Sequence, residues 1–320
     1  MDELNELEFA ASPLLDLPRL ARQAQVERVF VKDEGTRPLG NFKVLGGMLA
    51  GLRALARAGG DRSVLICASD GNHGLAVAAA AQRAGANARI YLPRHASVQR
   101  ATRIEAIGGE VVWIEGSYDD AVDMAAAAAE AGEGLLVPDT TSRAYEPAVA
   151  EVMEGYGRIC MELSDQLPLP PTHLFVQAGV GGLAAAMAEG LRGQMAAPGK
   201  IIVVEPENAA CVAAGLATGK PVRIGGDLLS CAEMLSCGLA SAPALEILLR
   251  HAVDSICVGE PALQSAVGTL LAGGGPLTSP SGAAGLAGLA MVAHSPRLRN
   301  AFELANDSRV LIVATEGAPA

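Results

Sequence analysis

The chain is 320 residues long; half of them are apolar, only 3% are aromatic, and the formal net charge is -11. Such a chain can form one large or two moderate domains with cores of Ala, Val, Leu and Ile, which suits buried parallel strands under Ala-rich helices. The acidic balance excludes nucleic acid as a main partner and gives no basic face for a membrane, and no apolar run reaches the ~18 residues of a span.

The opening Met1-Asp2-Glu3-Leu4-Asn5-Glu6 is acidic, unlike the basic start of a secretory signal, so a cytoplasmic address is expected. Short β-branched runs bounded by Gly, Pro or charge then predict strands at residues 28–32, 64–68, 88–92, 110–114, 135–138, 173–177, 201–205, 255–258 and 310–315. Helical stretches fall between them at 42–57, 72–84, 97–107, 118–131, 147–163, 181–191, 244–250, 262–272 and 282–293. Alternation of this kind predicts an α/β fold with open, twisted, mostly parallel sheets flanked by helices. The stiff run Leu167-Pro168-Leu169-Pro170-Pro171 opens a second series of strands. The expected division is a small domain at 45–145 and a larger one made of 1–44 and 146–320. Cys67, Cys160, Cys211, Cys231, Cys237 and Cys257 are scattered and form no metal-binding cluster, so they read as buried thiols.

Two motifs carry chemistry early in the chain. Lys43 opens a helix among Phe42, Val44, Leu45, Gly46 and Gly47, with no acid nearby in sequence. A lysine desolvated in such surroundings loses its charge readily and forms Schiff bases well. The turn Ser69-Asp70-Gly71-Asn72-His73-Gly74 joins an apolar strand to a helix, so its backbone N–H groups suit an anion such as a carboxylate. Asn72 offers a neutral donor, Asp70 reads equally as a helix cap, and His73 reads more readily as structural than as catalytic.

Further along, Gln177-Ala178-Gly179-Val180-Gly181-Gly182 is a glycine-rich strand-to-helix turn that can wrap a phosphate. It matches neither the dinucleotide fingerprint nor a Gly-Lys-Ser/Thr ending, so one phosphate fits better than several. Asp139 follows a strand, at the edge where open α/β sheets place ligands, and Thr315 ends the last strand.

In this order the motifs resemble the fold-type II, tryptophan synthase β-like pyridoxal-phosphate enzymes, over nearly the whole chain from about Phe9 to Gly317. Within that group the chain is most similar to the diaminopropionate ammonia-lyases. The residues that carry this are Phe30-Val31-Lys32-Asp33-Glu34, Asn41 to Gly47, Ser69 to Gly74, Asp139-Thr140, Gln177 to Gly181, Gly225-Gly226-Asp227 and Thr315-Glu316-Gly317. The resemblance implies pyridoxal 5'-phosphate as cofactor, Lys43 as its Schiff-base lysine and Asn72 on the ring oxygen. It further implies Gly179, Val180, Gly181 and Gly182 on the phosphate, Thr315 on the ring nitrogen, and Asp70 and Asp139 as catalytic acids. Ser69, Asp70, Gly71, Asn72 and His73 are expected to meet the substrate.

The implied reaction is α,β-elimination of ammonia from D- or L-2,3-diaminopropionate to pyruvate, in amino-acid catabolism, with a homodimer as the family's usual assembly. A serine/threonine dehydratase or racemase of the same fold is the alternative. Two departures stand out: Ser142-Arg143-Ala144-Tyr145 replaces the family's Trp-Glu-Gly-Tyr, and Ser279-Pro280-Ser281-Gly282 replaces Gly-Glu-Ser-Gly. Glu205 matches a cation ligand of related dehydratases, but Cys211 stands where such sites need Asp, so no metal is expected. Cys211 and Cys237 fall where some relatives carry cysteines.

Overall fold

The structure, a computed structural model, describes residues 9–59, 63–69, 71–94 and 96–318. Asp70 therefore lies outside the described residues. In chain order the elements begin with β1 (Leu14–Asp16), α1 (Pro18–Ala24) and β2 (Arg28–Asp33). Next come α2 (Lys43–Ala58), β3 (Val64–Ala68), α3 (Asn72–Ala84), β4 (Asn87–Pro93), α4 (Val98–Ala106), β5 (Gly109–Ile114), α5 (Tyr118–Glu130) and β6 (Leu135–Leu136). After α6 (Pro147–Gln166) follow β7 (His173–Gln177), α7 (Gly182–Leu191), β8 (Lys200–Pro206), α8 (Cys211–Thr218), α9 (Ala242–Arg250) and β9 (Asp254–Val258). The chain closes with α10 (Glu260–Ala272), α11 (Pro280–Ala293), α12 (Pro296–Ala301) and β10 (Arg309–Ala314).

These elements form two compact units, one from Phe9 and residues 42–156, the other from 10–41 and 157–318. The first holds a parallel sheet in the order β5-β4-β3-β6. The second holds a sheet in the order β1-β2-β10-β7-β8-β9, parallel except for β1. The passage out of the first unit falls inside α6, past the turn near residue 145 where the sequence pattern places it.

Central strands are buried along their whole length, as parallel strands covered on both faces must be; all five residues of β7 are inside. The core of the second unit is aliphatic, with Val29, Val31, Ile202, Val204, Leu286 and Ile312 among its members. In the first unit, α2 and α3 touch through residues too small to separate them. A Cβ on Gly47 would lie 2.6 Å from that of Ala76, and one on Gly51 would lie 2.7 Å from that of Ala80. The spacing of four in both helices sets these contacts on one face, and it fixes the starts of α2 and α3, where Lys43 and Asn72 sit.

Several boundaries differ from the sequence pattern for local reasons. The strand expected at 135–138 keeps only Leu135–Leu136, because Pro138 has no N–H to continue a ladder, although Val137 N still donates to Ile66 O at 2.8 Å. Strand β1 is a three-residue antiparallel edge, too short to show alternation. Helix α12 starts from the Ser295 hydroxyl, which accepts from Leu298 N, with Pro296 at its first position.

Candidate active site

In the first unit Lys43 is the first residue of α2, so its side chain leaves from the helix start rather than from a packed face. Its Nζ donates to Asp139 Oδ2 at 2.5 Å, while the Tyr118 hydroxyl donates to Asp139 Oδ1 at 2.8 Å. The carboxylate is thus held at both oxygens. Burial pushes its pKa up, but the Lys43 charge and the two hydrogen bonds outweigh that and hold it well below the usual range. Asp139 is ionised at any neutral pH. The lysine nitrogen also stands 5.6 Å from the centre of the Phe42 ring and 6.0 Å from that of Tyr156, the two rings being 4.8 Å apart.

The turn before α3 is braced from within. Ser69 Oγ accepts from Gly71 N and from Gly74 N, both at 2.8 Å. Gly71 has φ +141, a conformation that side chains resist, and no side chain caps the helix behind it. Asn72 is half-buried at the first helical position. His73 is buried and its Nε2 donates to Val137 O at 2.8 Å, tying α3 to the loop that carries Asp139. Burial pushes its pKa down, so the ring is neutral. A cavity of about 490 Å³ reaches Asp139 and Tyr118 and is lined on its other side by Thr140, Ser142, Arg143 and Glu146.

In the second unit the glycine turn links β7 to α7. Gly181 has φ +96 and no side chain caps the helix, so the N–H groups of its first turn face outward. A Cβ on Gly179 would lie 3.0 Å from Cys237 Sγ and 3.2 Å from Met234 O. The turn is therefore a narrow cradle of backbone donors, which fits a phosphate. Thr315, just beyond β10, is buried and its Oγ1 accepts from Gln177 Nε2 at 3.1 Å, which leaves its own O–H as a donor. Cys211 Sγ donates to Gly179 O at 3.3 Å, and Cys211 and Cys237 are both thiols.

Glu205 accepts from Val212 N and Ala213 N, each at 2.7 Å, and so caps α8. Burial pushes its pKa up to about 8 against the pull of those bonds. Among the described residues no group of three or more His, Cys, Asp or Glu is placed to hold a metal.

Sequence reasoning missed Tyr118 as a partner of Asp139 and Tyr156 as a neighbour of Lys43, and it missed the role of Lys32 and Glu34. Lys32 Nζ donates to Glu162 Oε2 at 2.7 Å, and Arg37 bridges Glu34 and Glu162 at 2.8 and 2.6 Å, all inside the second unit. The signal for Tyr118 was present: Ser117 and Asp120 form a capping box that places the tyrosine at the helix start.

A lysine at a helix start beside a buried carboxylate, a glycine phosphate cradle and two mostly parallel sheets define a fold-type II pyridoxal-phosphate enzyme. The family model for pyridoxal-phosphate dependent enzymes matches residues 6–316, and the chain belongs to that family, with pyridoxal phosphate as its cofactor. It is 32% identical to diaminopropionate ammonia-lyase of Escherichia coli K12, over 97% of this chain and 85% of that protein. A human serine dehydratase-like protein is also 32% identical, over 87% of this chain and 81% of its own. The crystal structure of the E. coli ammonia-lyase with an aminoacrylate–pyridoxal phosphate azomethine superposes with a TM-score of 0.86 at 28% identity, covering 98% of this chain and 87% of that one.

Proposed function

We propose that the chain is a lyase that eliminates ammonia from 2,3-diaminopropionate, as the D or the L isomer. One water is consumed, and pyruvate and a second ammonia are released. The observation that carries this reading is the buried, ionised Asp139 held against Lys43, in a chain similar to diaminopropionate ammonia-lyase over nearly all its length.

When bound, pyridoxal phosphate supplies an electron sink for the bond broken at Cα. Lys43 binds its aldehyde and Asn72 donates to its ring oxygen. The backbone of Gly179, Val180, Gly181 and Gly182 holds its phosphate, and Thr315 donates to its ring nitrogen. A neutral hydroxyl there leaves the ring less electron-poor than a charged partner would, which favours elimination over transamination. Asp139 is a poor base because its neighbours stabilise its charge; it is suited to bind the cationic β-amino group of the substrate. Asp70, by its position in the turn sequence, is assigned as the second catalytic base. Ser69 and Gly71 shape the carboxylate-binding turn, and His73 holds that turn to Val137. We further assign the enzyme to the cytoplasm, to amino-acid catabolism and to a homodimer.

The test is a substrate profile with both enantiomers of diaminopropionate, serine and threonine. Pyruvate from diaminopropionate at the highest kcat/KM is expected. Pyruvate from serine but none from diaminopropionate would replace this reading with a serine dehydratase.

A further inference from the structure

Phe42 and Tyr156 both set a ring beside the Lys43 nitrogen, and a ring is all that lining an ammonium requires. Tyr156 adds a hydroxyl. The residue is 1% exposed, and its oxygen meets no partner at full hydrogen-bond geometry, although Lys43 lies near enough to act on it. Phenylalanine would fill the same space without burying an unpaired polar atom, which is unfavourable in itself. Tyr118 makes the contrast, since its hydroxyl is used on Asp139.

The placement of Tyr156 is specific. A Cβ on Gly46 would lie 2.4 Å from Val152 O and 2.7 Å from Tyr156 Cε1, so α2 and α6 meet here without a side chain between them and the tyrosine comes up beside Lys43. Burial keeps its phenol protonated, while the charges of Lys43 and Asp139 both reach it. The hydroxyl is thus a donor and acceptor beside a lysine whose nitrogen now points to Asp139.

We propose that Tyr156 is a positioning residue, the second partner of the Lys43 nitrogen, receiving it whenever the nitrogen is uncharged, both as it takes up the cofactor and when substrate occupies Asp139. This rests on Lys43 being the lysine that binds the cofactor. An uncharged amine is held only weakly by a carboxylate, and it offers a lone pair that a hydroxyl can meet. Binding of the substrate's β-ammonium to Asp139 would release Lys43, and Tyr156 keeps it beside the site for its return. No bond is made or broken by the tyrosine.

The variant Tyr156→Phe keeps the ring and removes only the hydroxyl. Four quantities are read on the full chain: the thermal midpoint without cofactor, the rate of pyridoxal-phosphate uptake followed by the absorbance of the lysine-bound cofactor, and kcat and KM of the loaded enzyme. Expected are a midpoint equal to or above wild type and an uptake rate and kcat about tenfold lower, the effect of one lost hydrogen bond, with KM nearly unchanged. Uptake at the wild-type rate overturns the proposal whatever kcat does. Slower uptake together with a lower midpoint assigns the hydroxyl to packing and overturns it too. Lys43→Ala, which should take up no covalently held cofactor, is the control for the premise. A wild-type chain that makes no pyruvate from diaminopropionate would sink the substrate assignment but leave this test intact, because uptake needs no substrate.

Discussion

Replacing Asp139 by Asn isolates the contact on which the lysine site is built. In the native chain one carboxylate oxygen takes Lys43 at 2.5 Å and the other takes Tyr118 at 2.8 Å. An amide of the same shape can satisfy one of these donors, but it turns an N–H toward the other. Breaking a fully buried ion pair costs about 3–5 kcal/mol. The Lys43 side chain is 20% exposed, so water recovers part of that, and the expected loss is about 2–3 kcal/mol. In a chain of this size that corresponds to a thermal midpoint lower by roughly 4–8 °C. The pH dependence follows from the direction of the shift. The folded pKa of Asp139 lies below the 3.8 of an exposed aspartate. The stabilisation is therefore present above that value and is lost as pH falls through the folded one. Urea unfolding of the cofactor-free chain should show a constant gap between wild type and variant from about pH 8 to pH 5, narrowing below about pH 4. A variant as stable as wild type at pH 7, or a gap that opens only on acidification, would refute the charge-pair account.

Two further outcomes test the second unit. Glu162→Gln leaves the buried Lys32 and Arg37 with one carboxylate, Glu34, between them, so a loss of about 3–5 kcal/mol in urea unfolding is expected; a loss under about 1 kcal/mol would mean the network is a spectator. Burial raises the folded pKa of Glu205 from the 4.5 of an exposed glutamate to about 8. Its contribution is complete below about pH 4.5 and fades as pH rises to about 8, by an amount on the order of 4 kcal/mol. Glu205→Gln should flatten that part of the stability profile, and an unchanged slope would contradict it.

Most of the strand order along the chain was legible because parallel strands buried on both faces are continuous apolar runs. The start of α2 was legible too, since Phe42-Lys43-Val44-Leu45 is apolar around one charge. What could not be read was which distant side chains meet. Lys43 and Asp139 are 96 residues apart, and nothing local links them apart from family resemblance. Tyr156 falls on the apolar stripe of α6 with Val152, Ile159 and Leu163, and by period alone it is another core residue. Lys32 sits within Val-Phe-Val-Lys-Asp, where alternation would put it in water. It is instead fully buried, because Glu162 and Gln166 of α6 and the Ser12 carbonyl come to meet it. Tertiary pairing overrides the local pattern there.

The sheet order β1-β2-β10-β7-β8-β9 puts the last strand of the chain in the middle. On a ribosome, every other strand of that sheet is made before Arg309 emerges. Until then β2 and β7 each have an open edge with no neighbour, and the sheet exists as two fragments. Such edges are templates for pairing with the wrong chain. A nascent chain or a truncation lacking β10 should therefore be prone to aggregate rather than merely less stable. The first unit has no such dependence, since among the described residues its strands lie within residues 64–136, and it can finish early. The vulnerable interval in the life of this protein is the one that closes when its final strand is inserted.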